Sequence, residues 1–218
     1  MALVVQVTGD MAGQISGFLK GFTNVAMKKA AVQSMNRVAT TVRKESVKII
    51  GSRLKLPKGG RSSKGGGGNT PPGLKSLFEI SKAKYSRSIP LNQIYSSVNT
   101  SSKPISLIHF VRGQKAPIPQ KGIAVARRKK VVVEVTPGRK VKLQTAFIAK
   151  SRRGGAVQVF RRDNNDKLIK QSVPSVYGFM AKPEVRTPIG RIAFDRYKIE
   201  FPRALEYYSK QIPRPRKG

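Results

Sequence analysis

Residues 126–142 read ARRKKVVVEVTPGRKVK. Residues 131–135 are β-branched apart from Glu134, and Pro137-Gly138 is a turn pair. The segment from Val141 onward is apolar enough to return as a second strand. A β-hairpin is therefore expected here, and it sets the class of the whole chain as one with antiparallel strands. Seven of its seventeen side chains are Lys or Arg, and Glu134 is the one acid. A strand pair this basic calls for a neighbour of opposite sign.

The rest of the chain does not supply one. It holds 44 Lys and Arg against 10 Asp and Glu in 218 residues, a net charge of +34. The excess is spread along its length. Residues 1–110 carry 17 bases and 3 acids, or +14, and residues 111–218 carry 27 and 7, or +20. Self-repulsion of this size opposes compaction, and a polyanion or a set of acidic partners relieves it. Nucleic acid is the first candidate and an anionic membrane surface the second. A merely solvated surface normally mixes both signs.

Outward from the hairpin the sequence continues to alternate. Residues 77–85, 94–98, 105–111 (ISLIHFV), 122–125, 141–149 and 156–160 read as strands. Together they predict an antiparallel sheet of about five strands with basic side chains on one face. Residues 163–183 read as irregular, with a turn at the DNND of 163–166. Before the sheet, the spacing of Val25, Val32, Met35, Ala39, Val42 and Ile49 predicts a long helix, bent near residue 23, with Gly51 as its stop. After it, Ile189, Ile192, Ala193, Ile199, Leu205 and Tyr208 mark a C-terminal amphipathic helix from about Thr187, which Pro202 is expected to kink or split. The fold class is α+β, one domain over 1–218. A flexible basic loop is expected at 57–73, where seven Gly and three Pro accompany Lys58, Arg61 and Lys64. A short basic tail follows at 212–218.

The chemistry-bearing residues are few. There is no Cys, which excludes disulfides and thiolate metal sites. His109, the sole histidine, lies inside an apolar run and reads as a satisfied sheet histidine without metal partners. Asp163 and Asp166 read as turn formers, and no convergent carboxylates stand among the strands. GGRSSKGGGG lacks the order of a phosphate loop. No stretch approaches about 18 apolar residues, and the N-terminus lacks a signal-peptide pattern. The expectation is a protein without catalytic residues, metal or cofactor. Its polyanion contacts are expected to be to phosphate, through Arg127, Arg128, Lys129, Lys130, Arg139, Lys140, Lys142, Arg152, Arg153, Arg161 and Arg162. The aromatics Phe78, Tyr85, Tyr95, Phe110, Phe147 and Phe160 read mostly as core.

The order of segments carries one resemblance. It runs from KKAAVQSMNRVATTVRKES, with Asn36-Arg37-Val38-Ala39 inside it, through PISLIHF and the basic hairpin. Ala146-Phe147-Ile148 then leads to Phe160-Arg161-Arg162, followed by Pro174-Ser175-Val176 and a terminal helix. Over roughly residues 25–208 this resembles the minor tail protein Z family of tailed bacteriophages, the neck and tail-completion proteins. The Gly-rich insert near 59–68 and the Arg/Pro-rich tail depart from that pattern. The resemblance implies a structural virion protein at the head-proximal end of the tail, assembled in the host cytoplasm and without catalytic residues. It implies copies of the chain in a ring, sixfold by analogy with tail symmetry. It implies tail-tube, tail-terminator or connector proteins as neighbours, and the DNA end or the tape-measure protein as a further contact, with no membrane. The composition also leaves open a ribosomal or other RNA-binding protein, and a non-specific DNA-binding protein.

Overall fold

The computed structural model describes residues 2–5, 24–56, 73–113, 130–150 and 156–211. The expected bend near residue 23, the strand at 122–125, all but Gly73 of the Gly-rich loop and the tail at 212–218 lie outside them. The fold is α+β, with a long N-terminal helix, small antiparallel sheets and a long C-terminal helix. The chain divides into two compact units, each assembled from separated stretches.

The first unit takes Met1–Ser46, Phe78–Thr100 and Lys182–Gly218. Strands β1 (Ala2–Val5), β2 (Phe78–Ser81) and β3 (Ser96–Thr100) form an antiparallel sheet with β3 at its centre. Helix α1 (Asn24–Arg53) belongs to this unit as far as Ser46. Its buried face is Ala26, Ala30, Ala31, Met35, Val38, Ala39 and Val42. That differs from the expected stripe, since Val25 is exposed and Val32 is half-buried. The face toward the core is built largely of alanine, whose small side chain lets the helix approach its neighbours closely. Lys28 is buried with its Nζ donating to the Arg87 carbonyl at 2.7 Å.

The Asn36 side chain of α1 acts as a clamp on the stretch after β2. Its Oδ1 accepts from the Ala83 amide at 2.8 Å and from Ser96 Oγ at 2.6 Å, and its Nδ2 donates to the Ala83 carbonyl at 3.1 Å. The C-terminal helix, Pro183–Gln211, is a single element that carries Pro188 and Pro202 inside it. It starts earlier than expected and is not split at Pro202. Val185, Ile189, Ala193, Tyr197, Phe201, Ala204 and Leu205 line its buried face, whereas Ile199 is exposed.

The second unit takes Val47–Leu77 and Ser101–Ala181. The last turns of α1 bury Val47 and Ile50, and Leu54, the residue after the helix, is buried as well. Gly51 is not the helix stop, because the helix runs on to Arg53. A Cβ at Gly51 would meet Leu74 Cδ1 at 3.3 Å, so glycine serves the approach of Leu74. Among the described residues the strands do not join into one sheet of about five. They form three small antiparallel sheets in this unit: β4 (Ile105–Ser106) with β10 (Ser172–Val173), β5 (Val131–Val133) with β6 (Val141–Leu143), and β7 (Ala146–Lys150), β8 (Val157–Arg162) and β9 (Leu168–Lys170) in that order.

The apolar run at 105–111, expected as one strand, is instead the two residues of β4 followed by a 3-10 helix, Leu107–Phe110, which carries His109. The 3-10 coil buries Leu107, Ile108 and Phe110 together, which a strand covered on one face could not do because it turns alternate residues outward. Residues 163–183, expected to be irregular, hold β9, β10 and the short helix α2 (Val176–Met180). Ser175 caps α2 by accepting from the Gly178 amide at 3.1 Å. In chain order, Pro183–Gln211 is α3.

Candidate nucleic-acid interface

The basic hairpin exists as β5 and β6, paired Val131 to Leu143, Val132 to Lys142 and Val133 to Val141. Val131 and Val133 are buried, as β-branched residues facing inward should be. Gly138 sits at φ +81, a conformation that side chains with a Cβ resist, and Arg139 donates its amide to the Thr136 carbonyl at 3.0 Å. The Pro137-Gly138 pair is therefore what closes the turn. Lys130, Arg139, Lys140 and Lys142 stand exposed around it.

Glu134 makes its ion pairs with Lys55 and Arg112 and not with these four cations. Its carboxylate is buried, with 3% of the side chain exposed. It accepts from Lys55 Nζ at 2.5 Å, Arg112 Nε at 2.6 Å and the Gly138 amide at 2.9 Å. The Gly138 N–H holds this carboxyl below the usual carboxylate range, against the opposing effect of burial, with the Arg112 hydrogen bond and the charges of Arg112 and Lys140 adding to it. Backbone bonds run beside it: Lys55 donates to the Val135 carbonyl at 2.8 Å, Arg112 to Val132 at 2.9 Å, and Glu134 to Phe110 at 2.8 Å. The hairpin is thus pinned from inside and left positive outside.

A second basic group lies on the three-stranded sheet. In β8, Arg161 faces Ala146 of β7 and Ile169 of β9, and Arg162 faces Leu168. Both arginines are exposed, as are Lys150, Lys167 and Lys170. The turn into β9 is fixed by Asp163, whose Oδ1 accepts from the amides of Asn165 at 3.0 Å and Lys167 at 2.8 Å. Asp166 adopts φ 61, which aspartate tolerates in turns, and takes Arg162 Nη1 at 2.8 Å. That ion pair is open to solvent on both sides and contributes little to stability. The two aspartates thus behave as turn formers.

Of the residues expected to meet a polyanion, Lys130, Arg139, Lys140, Lys142, Arg161 and Arg162 are exposed, and all belong to the second unit. Lys130, Arg139, Lys140 and Lys142 belong to the β5-β6 hairpin and its flanks, Arg161 and Arg162 to β8, and β5 also contacts β7. Arg127, Arg128, Lys129, Arg152 and Arg153 lie outside the described residues, as do Lys58, Arg61 and Lys64.

Sequence reasoning missed Lys167 and Lys170, and it assigned Phe147 and Phe160 to the core. Those two phenylalanines are half-buried cross-strand partners, with ring centroids 6.3 Å apart and planes tilted by 32°. The signal was present in Phe160-Arg161-Arg162, because a period of two puts Phe160 and Arg162 on the same face.

In the first unit the charges are arranged differently. Glu200 is buried and accepts from Arg37 Nη1 at 2.8 Å and from Arg196 Nη2 at 2.6 Å. The Arg37 hydrogen bond, followed by the charges of Arg196, Arg37 and Arg203, keeps its carboxyl below the ordinary value. Arg37 therefore has an internal partner.

Among the described residues no group of three or more His, Cys, Asp or Glu is placed to hold a metal ion, and no helix is long and apolar enough to cross a membrane. Comparison with protein-family models, with curated proteins and with solved structures returns no match.

Proposed function

We propose that this chain is a structural protein of a tailed-phage virion, seated at the head-proximal end of the tail. There it completes the tail, helps join it to the head and lies against the end of the packaged DNA. It does so without catalysis, as one of a ring of copies whose neighbours are tail-tube, tail-terminator or connector subunits. The order of segments that resembles the tail-completion family supports the setting. The observation that carries the nucleic-acid contact is the set of exposed Lys130, Arg139, Lys140, Lys142, Arg161 and Arg162, on a unit whose buried acid Glu134 is already taken by Lys55 and Arg112. Among the described residues only Arg162 of this set has an acid partner, the solvent-exposed Asp166. Exposed cations of this kind neutralise phosphates irrespective of sequence and release condensed counterions in doing so.

The test is a charge reversal, Lys130→Glu, Arg139→Glu, Lys140→Glu and Lys142→Glu together. All four side chains are exposed, so the fold is expected to persist. The slope of log affinity for duplex DNA against log salt should flatten by up to about four, since each phosphate contact contributes about 0.9. In an infection, particles carrying the variant should accumulate heads and tails that do not join. Wild-type protein that ignores DNA at low salt, together with normal infectious particles in the absence of the chain, would overturn the proposal.

A further inference from the structure

The β7-β8-β9 sheet has two unlike faces. Alternation puts Ala146, Val159 and Arg161 on one face, where Ala146 and Val159 are buried. The other face carries Phe147, Ala149, Gln158, Phe160, Arg162, Leu168 and Lys170. At Gln158 this face is closed, because Ser106 Oγ hydrogen-bonds the Gln158 side chain. From Phe160 onward it opens. Phe147, Phe160 and Lys170 form one row directly across the three strands, with Arg162 and Leu168 in the next row. Both rings are half-buried, Leu168 is 49% exposed, and Arg162 and Lys170 are exposed. The Arg162 guanidinium carbon stands 6.0 Å from the Phe147 ring centre, within cation–π range, and its Nη1 holds the Asp166 carboxylate at 2.8 Å in a solvent-exposed pair that a phosphate can displace at little cost.

Two adjacent rings on an open sheet face, bordered by cations, offer more than phosphate contact. A duplex presents its phosphates outward and keeps its bases stacked on one another, so it has no use for the rings. An unpaired strand offers free base faces and phosphates together, and each kind of group finds its partner here. We infer that the Phe147–Phe160 face of the β7-β8-β9 sheet binds an unpaired nucleic-acid strand, bases stacking on the two rings while Arg162 and Lys170 meet the adjoining phosphates. This rests on the reading above that the basic surface meets nucleic acid, and it narrows that reading to the form of strand this face takes.

Stacking and charge separate cleanly in salt. Phosphate contacts set the slope of affinity against salt, whereas base stacking shifts affinity at every salt concentration alike. The full-length chain is titrated into a labelled single-stranded oligonucleotide of about 15 nucleotides, and into its duplex, across a range of salt. Phe147→Leu and Phe160→Leu keep an apolar side chain at each position and remove only the ring, and their melting curves establish that they are folded.

Each variant should weaken single-strand binding at least about fivefold at every salt concentration, leave the salt slope unchanged and leave duplex binding unchanged. Single-strand affinity that survives both substitutions, or that falls in step with duplex affinity, overturns the platform. If the charge-reversed hairpin still loses duplex binding in that case, the broader proposal stands without it. A wild-type chain that binds neither form at low salt removes both.

Discussion

Arg112 donates from Nε to Glu134 Oε2 at 2.6 Å, and that bond turns the single acid of the hairpin inward. Lys55 takes the other oxygen at 2.5 Å. Both cations come from outside the strand pair and each keeps more than a third of its side chain exposed. The carboxylate therefore ties the hairpin to the end of α1 and to the segment after Leu107–Phe110, while the hairpin's own exposed cations are left for something external. Spending the local acid on internal architecture is what keeps the outer surface positive.

Glu134 should give the second unit an acid-sensitive anchor. Its folded-state pKa lies below the unfolded value. A depressed carboxylate contributes stability that is fully present above the unfolded value, about 4.3, and is lost as pH falls through the folded one. Melting temperature should therefore drop on acidification below about pH 4.3, more steeply in the wild type than in Glu134→Gln. At pH 7 the variant should melt lower, having lost a charge held by Lys55, Arg112 and Gly138. Thermal melts from neutral pH into acid measure the difference curve. Parallel wild-type and variant curves would show that the contact carries no linkage.

The Arg37–Glu200–Arg196 cluster should behave unequally when its members are removed. Glu200 is 3% exposed and the arginines are 53% and 43% exposed. Glu200→Ala leaves two solvated guanidiniums, which water rehydrates. Arg37→Ala leaves Arg196 alone to hold a buried carboxylate, and an incompletely paired buried charge is the costlier remnant. Denaturant unfolding should place the Arg37→Ala loss at about 1–3 kcal/mol. Adding Glu200→Ala to it should cost less than the sum of the single losses, as expected for one network.

Asn36 makes three hydrogen bonds with one side chain, so its replacement should cost more than a surface substitution. Asn36→Ala removes Oδ1 from Ala83 N and Ser96 Oγ and Nδ2 from the Ala83 carbonyl. The Ala83 amide keeps Ser96 Oγ at 3.0 Å, but the buried Ser96 hydroxyl loses its acceptor and the Ala83 carbonyl its donor, which should lower stability by about 1–3 kcal/mol. Asn36→Asp retains the acceptor but loses the donor and sets a carboxylate against the Ala83 carbonyl. It should recover only part of the loss, and full recovery would mean the Nδ2 bond contributes nothing.

The elements that were legible in the sequence were those with a strong local period: α1, the C-terminal helix and the β5-β6 hairpin with its Pro137-Gly138 turn. The DNND turn was legible for the same kind of reason, since Asp163 forms bonds to backbone amides only two and four residues away. Where the reading failed, long-range packing decided. Residues 105–111 are apolar at consecutive positions, which fits a strand or a coil equally, and burial of Leu107, Ile108 and Phe110 together selected the 3-10 helix. The stripe on α1 was right at Met35, Ala39 and Val42 and wrong at its N-terminal end, because hydropathy weights Val25 and Val32 above Ala26 and Ala30, the residues the core encloses. Of the interface, the cations could be read from composition. For the open Phe147–Phe160 face the sequence held only the hint that Phe160 and Arg162 share a side, because a phenylalanine in a strand looks the same in sequence whether its face is covered or bare.

Pro202 sits inside α3 at an exposed position, between buried Phe201 and buried Ala204 and Leu205. Its ring removes the amide that would bond the Lys198 carbonyl and crowds that carbonyl, a cost of about 3 kcal/mol in an unsupported helix. The helix nevertheless continues to Gln211, so burial of its apolar face outweighs the break. Pro202→Ala supplies the missing donor and touches no buried side chain. The chain should gain about 1–3 kcal/mol in denaturant unfolding and melt higher, with helix content by circular dichroism unchanged or slightly raised. A variant that melts lower would mean that the direction proline imposes on the helix axis is needed to bring Phe201 and Leu205 into the core. In that case the proline is part of the packing and not a tolerated defect.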